Sequence, residues 1–220
     1  MLFILTGDIQ IGKTRWLQEI VSELERGGVP VAGVLAPGAW RDNANCENGL
    51  EKIGIDNEML PSHELVHFAR RRDLMLAEDG GASLERCGQS ETEKLGWAMD
   101  DHVIMQVDAH FAALEAQVVA DGKDGTPGNR APAGGVRPGL LVVDELGRLE
   151  LLRDLGLVHA ISLLRRGPSA RYPHAVLIVR DWLLLYAHER FDAAWPSAVE
   201  EISPTPEART RILAAYGLSA

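Results

Sequence analysis

The chain alternates short, wholly apolar runs with longer stretches in which apolar residues recur every three or four positions. Leu2–Leu5 is apolar at every position, as in a strand buried on both faces of a parallel sheet. After a polar, glycine-containing gap, Trp16, Leu17, Ile20, Val21 and Leu24 fall on one side of a helix that Gly27-Gly28 ends. Val29–Leu35 reads as a second apolar strand, closed by Ala36-Pro37-Gly38. This order predicts a βαβ unit, and hence a right-handed crossover in a parallel sheet. Leu140–Val143 and Ala175–Val179 repeat the apolar pattern, and Val199–Ile202 predicts a last strand. Asp100–Val119 predicts an amphipathic helix, with Val103, Ile104, Val107, Phe111, Leu114 and Val118 on one side. Leu155, Val158, Ile161 and Leu164 mark another helix, and Asp181–Phe191 a further one. Thr205-Pro206 starts a terminal helix, threonine at the N-cap and proline in the first turn, which stops near Gly217.

Two stretches interrupt this rhythm. Between Asn43 and Gly96, Lys52–Glu58 and Glu64–Ala69 are strand-like and flank Leu60-Pro61-Ser62-His63, which predicts a β-hairpin at the margin of the sheet. Glu78–Glu93 is polar and reads as a loop. Asp121–Gly139 is rich in Gly and Pro with almost nothing to bury, and reads as a flexible insertion. No internal repeat is visible. The 220 residues therefore suit one α/β domain spanning 1–220, with a hairpin insertion at 43–96 and a flexible loop at 121–139.

The gap after the first strand carries the chemistry. Gly7-Asp8-Ile9-Gln10-Ile11-Gly12-Lys13-Thr14 matches GxxxxGK[ST], followed by Arg15 in the first helical turn. Gly7 and Gly12 permit a backbone path that turns successive N–H groups towards a phosphate, and the helix start adds its dipole. Lys13 supplies a point charge for the β- and γ-phosphates, and the Thr14 hydroxyl a magnesium ligand. At this chain's own Gly, Lys, Ser and Thr usage, roughly 0.003 accidental matches are expected, so the motif implies a nucleoside triphosphate (ATP, GTP or another) with Mg2+. Asp8 is an unusual choice beside phosphates and is expected to face solvent or a basic neighbour. Ile9 and Ile11 are bulkier than is common there. Leu140–Val143 followed by Asp144-Glu145 has the form of a Walker B strand, its acids at the carboxyl end where α/β sheets bind ligands. Asp144 is expected to hold magnesium, and Glu145 to polarise the attacking water. Arg148 and Arg180 are candidates for contacting the transferred phosphoryl group; an Arg148–Glu150 pair is the alternative for the first. Arg70-Arg71-Arg72 reads as a solvated charge run rather than a lid. His63 and His67, four apart in a hairpin, are not expected to bind metal. The five tryptophans read as core or interface residues rather than base-stacking groups, and Trp16, immediately after the loop, is the one to test for stacking.

The balance of charge narrows the partners. A formal net charge of −10 argues against DNA or RNA and requires a local device for the phosphates. Cys46 and Cys87 form no CxxC and read as free thiols of a reducing compartment. Met1–Leu5 is short for a signal peptide, and no stretch comes near the ~18 apolar residues of a membrane helix, so a cytoplasmic location is expected. A protein partner is left open.

With these residues in view, the chain resembles the small P-loop nucleoside triphosphatases of archaea, bacteria and animals. The resemblance rests on Thr6–Thr14, Gly33–Gly38, Gly54–Arg71, Asp144–Leu151 and Thr205–Arg209. It implies a RecA-like P-loop fold, slow Mg-dependent hydrolysis of several triphosphates, and roles for the loop, Asp144 and Glu145. It also implies that Glu150 braces Arg148 or the magnesium shell. Two other functions fit the motifs: a nucleoside or nucleotide kinase with a small acceptor, and a nucleotide-gated regulatory module. A switch GTPase is disfavoured, because no NKxD motif occurs.

Overall fold

In the computed structural model, residues 1–9, 11–46, 49–71, 97–99, 101–123, 136–196 and 198–219 are described. The strands are β1 (Leu2–Leu5), β2 (Val31–Leu35), β3 (Gly38–Asp42), β4 (Leu50–Leu60), β5 (Glu64–Arg71), β6 (Trp97–Met99), β7 (Leu140–Val143), β8 (His174–Ile178) and β9 (Val199–Ile202). The α-helices are α1 (Lys13–Arg26), α2 (Asp101–Lys123), α3 (Arg148–Arg153), α4 (Val158–Arg165), α5 (Leu184–Phe191) and α6 (Pro206–Ala214). The nine strands make one sheet in the order β6-β5-β4-β2-β7-β8-β1-β9, with β3 paired to β4 beside that path. This is a mixed α/β sheet flanked by helices, the P-loop NTPase architecture expected from the sequence.

Five strands, β2-β7-β8-β1-β9, pair in parallel. Their alternation feeds two cores. Leu2 and Ile4 of β1, with Leu141 and Val143 of β7, face the layer holding α2, α4 and α5. Phe3, Leu5, Leu140 and Val142 face α1 and α6. Both faces being covered explains why β1, β2 and β7 carry no polar positions. β1 and β2 are not neighbours, however: β8 and β7 lie between them, so α1 crosses two strands rather than none.

The margin beyond β2 is antiparallel. β4 returns along β2 and pairs with β5, as the hairpin pattern predicted, and β3 and β6 extend this ribbon. β3 was not anticipated, because Ala36-Pro37-Gly38 reads as the end of an element. The helix expected after Asp144-Glu145 is broken in two. Asp154 and Gly156 have positive φ, and Leu155, expected inside, is exposed. A side chain at Gly156 would be strained at its φ of 73° and would displace Glu150, since an added Cβ would lie 2.1 Å from Glu150 Oε1. The segment at 181–191 opens as a 3₁₀ turn, Asp181–Leu183, before α5. Thr205 caps α6 as expected, accepting from the Ala208 N–H at 3.2 Å with Pro206 at the first position.

Two expectations about the ends of α2 change. By length and composition α2 is long and apolar enough to cross a membrane, but its Ile104, Val107, Phe111 and Leu114 are buried in the core. The helix also runs to Lys123, into the segment expected to be flexible. Asp121 there takes a forked pair from Arg171 at 2.6 and 3.1 Å, and the Gly139 carbonyl accepts from Tyr216 at 2.9 Å. Both ends of the predicted insertion are therefore packed. The expected loop at 78–93, Gln10, Arg72 and Cys87 lie outside the described residues.

Candidate active site

The parallel strands bring their carboxyl ends to one edge. Gly7 follows β1, Ala36 follows β2, Asp144 follows β7 and Arg180 follows β8, so segments far apart in sequence converge where such sheets bind ligands. Gly12 caps α1 in the left-handed region, at φ 88°, and Gly7 has φ 126°. These conformations are ones that glycine adopts without strain. Lys13 Nζ lies across the loop, donating to the carbonyls of Gly7 and Asp8, both at 2.8 Å. Asp8 is exposed, as expected, and Ile9 is exposed as well. Arg15 also points outwards, paired loosely with Glu19 at 3.9 Å.

Thr14 and Asp144 meet although β8 separates their strands. The Thr14 hydroxyl donates to the Asp144 carboxylate, which also accepts from the Ala36 N–H at 2.9 Å. Asp144 is 6% exposed. Burial, aided by the charge on Glu145, pushes its carboxyl up to about 6 against the pull of those two donors and of Lys52. A buried acid whose desolvation its donors do not offset, beside the Thr14 hydroxyl, fits a hard cation that takes oxygen ligands and keeps several waters. Among the described residues no group of three or more His, Cys, Asp or Glu forms a further metal cluster.

Glu145 follows with φ 78°, an uncommon conformation for a residue with a side chain, and pairs with Arg180 at 2.5 Å between Oε1 and Nε. Arg180, expected near the transferred phosphoryl group, is thus engaged with the candidate base. Lys52 of β4 was missed by sequence reasoning. It faces Glu145, Asp144 and Arg180, and burial lowers its pKa although both acids raise it. No local signal marks Lys52, since the antiparallel return of β4 is what brings it in.

Glu150 does not brace Arg148. Its Oε2 accepts from the Gly147 N–H at 2.9 Å and its Oε1 from the Leu157 N–H at 3.3 Å, so it holds the turn between β7 and α4. Burial raises its pKa, opposed by these backbone donors. A buried carboxylate bonds the nearest unsatisfied amides, and Arg148 is exposed at the rim. His63 pairs with Glu58 and Glu25, and His67 with Asp56, so neither faces the site. Arg70 and Arg71 are likewise held by Asp56 and Glu51 of the ribbon. Trp16 packs on the α1 core. Beyond Asp144 and Glu145 a cavity of about 250 Å³ opens between β4, β5, α2 and α3, with Asn57, Phe68 and Arg148 among its walls.

Two solved structures share this architecture over nearly the whole chain. One is the solution structure of a human cancer-related nucleoside triphosphatase, 19% identical, covering 98% of this chain and 94% of that one at a TM-score of 0.53. The other is the crystal structure of THEP1 from the hyperthermophile Aquifex aeolicus, 16% identical, covering 98% and 96% at 0.52. The fold is that of the small P-loop NTPases. No family profile matches the sequence, and no curated protein is significantly similar to it. Within this P-loop fold, the loop, Asp144 and Glu145 occupy one edge of the parallel sheet, and the hairpin ribbon forms the wall beside them.

Proposed function

We propose that this protein binds a magnesium–nucleoside triphosphate on Gly7–Thr14 and hydrolyses it to diphosphate and phosphate. The observation that carries the reading is the junction of Thr14 with Asp144, with Glu145 next to it. It joins a motif that predicts phosphate binding to an acid pair able to serve the metal and the nucleophile. The name of the human structural neighbour, a nucleoside triphosphatase, is consistent with it.

In this reading the loop N–H groups and the α1 dipole cradle the phosphates, and Lys13 turns from the Gly7 and Asp8 carbonyls to the β- and γ-oxygens. Thr14 and Asp144 hold Mg2+, which neutralises charge on the phosphates. Glu145 accepts a hydrogen bond from the attacking water, and Arg180 positions that carboxylate. Lys52 adds positive charge beside the two acids, inside an otherwise acidic protein.

Glu145→Gln tests this directly, because it keeps size and hydrogen bonding while removing the base. Free-phosphate release should fall by about 10²–10⁴-fold, with triphosphate affinity retained. Release at the wild-type rate would reduce Glu145 to a strand-end carboxylate and overturn the assignment.

A further inference from the structure

The cavity behind Asp144 and Glu145 has features that triphosphate hydrolysis does not use. Asn57 of β4 is 2% exposed, lines this cavity, and its Oδ1 is hidden from solvent without a hydrogen-bond partner. A buried carboxamide oxygen left unpaired is costly, so a protein that keeps one has a use for it. The surrounding walls are apolar and partly aromatic, from Ile55, Phe68, Ile104, Leu149 and Trp182. At the rim stands Arg148, exposed and without an ion-pair partner among the described residues. Asp144 also lines the cavity, the same carboxylate that receives the Thr14 hydroxyl.

These groups define a ligand. A carboxamide presents one acceptor and one donor side by side, and its complement is a ring edge with an adjacent N–H and lone pair. Apolar and aromatic walls suit a flat ring. A guanidinium at the rim with no ion pair among the described residues suits a phosphate. We infer that the cavity binds a nucleoside monophosphate, its base edge on Asn57 and its phosphate towards Arg148, as the acceptor of the γ-phosphoryl group.

The inference rests on the loop holding a triphosphate. Water and the monophosphate then compete for the same phosphorus from the side of Glu145. An oxygen of the monophosphate attacks the γ-phosphorus as the bond from that phosphorus to the β–γ bridging oxygen breaks. Two nucleoside diphosphates form, and no net proton is released. Hydrolysis is what the site does when the cavity holds no acceptor.

The test is calorimetric titration of AMP and CMP into the Lys13→Ala protein, which disables the phosphate loop, with and without Asn57→Leu. Monophosphate binding should persist in Lys13→Ala and weaken about tenfold or more on adding Asn57→Leu, as expected for loss of a bidentate edge contact. Ribose 5-phosphate, which has no base, should not bind. The melting temperature of Asn57→Leu should equal or exceed its parent's, because the unpaired amide is gone, which separates lost binding from lost folding. In the wild type, label from the γ-position should appear in the added monophosphate's diphosphate. Absence of binding, indifference to Asn57→Leu, equal binding of ribose 5-phosphate, or binding without transfer would each overturn the acceptor assignment. Monophosphate binding to Lys13→Ala together with no response of the wild type to magnesium–triphosphate would instead sink the hydrolase reading.

Discussion

Glu145 combines two features that ordinarily cost free energy: a positive φ and a close charge pair whose partners are partly desolvated. Such strained residues persist where neighbours over-determine them, and here Arg180 does so from the end of β8. If the pair exists to orient the carboxylate, its two halves act as one unit. Arg180→Gln should then lower phosphate release by about 10–100-fold. Combined with Glu145→Gln, it should add little beyond the single Glu145 change, since the effects of coupled residues do not add. Rates that multiply would mean that Arg180 touches the phosphoryl group on its own account. The same scale shows what was legible in the chain. The loop and the acids at 144–145 are contiguous motifs whose chemistry is spelled by neighbouring residue types. Lys52 and Asn57 reach the site only through the long-range pairing of β4 with β2, which no local pattern encodes.

At the scale of elements, apolar runs and helical periodicity located β1, β2, β7, β8, α1 and α2, because burial on both sheet faces or one helix side dictates those patterns, and the Thr205-Pro206 cap located α6. They failed at α3 and α4, where the period continues through Leu155 while Asp154 and Gly156 break the backbone. Composition cannot show that Glu150 has claimed the Gly147 and Leu157 amides and so fixed the break. α4 is held in place against α2 by Glu115, which accepts from Ser162 at 2.6 Å, Arg166 at 2.8 Å and His159 at 3.0 Å. Burial alone would push this carboxyl up, but the three partners outweigh it and hold it at about 2. Its folded value thus lies below the ordinary 4.5, so its stabilisation is present above that pH and lost as pH falls towards 2. Glu115→Gln should cost roughly 1.5–3 kcal/mol at neutral pH, as for hydrogen bonds to a charged group. Urea unfolding of both proteins should show the difference shrinking between pH 4.5 and 2. A difference independent of pH would assign the loss to packing. Asp108 nearby is shifted upwards by burial, which is common to both proteins, and in smaller part by the charge on Glu115, which Glu115→Gln removes.

For the whole molecule, the decisive fact is that one sheet edge gathers the loop, the acids and Arg180 while the opposite edges are tied by unrelated contacts. Arg209 of α6 forks onto Glu23 of α1, and Arg171 onto Asp121 of α2. These contacts tie the frame among the described residues, and residues 124–135 are by composition Gly, Pro and small or polar residues. Replacing those twelve by a short Gly/Ser linker, while keeping Asp121 and Gly139, should change stability little, since loop closure varies by about 0.6 kcal/mol per doubling of length. The functional consequence is measured by ligand linkage. A ligand that binds only the folded state at a hundredfold excess over its dissociation constant stabilises it by about 2.7 kcal/mol. For a domain of this size that is a rise of roughly 5–10 °C in melting temperature. Magnesium–triphosphate should produce this rise equally in the wild type and the linker variant, and Lys13→Ala should abolish it in both. A rise lost in the linker variant alone would show that 124–135 forms part of the nucleotide site. No rise in the wild type with any triphosphate at millimolar concentration would mean that Gly7–Thr14 does not bind phosphate, whatever its resemblance in sequence.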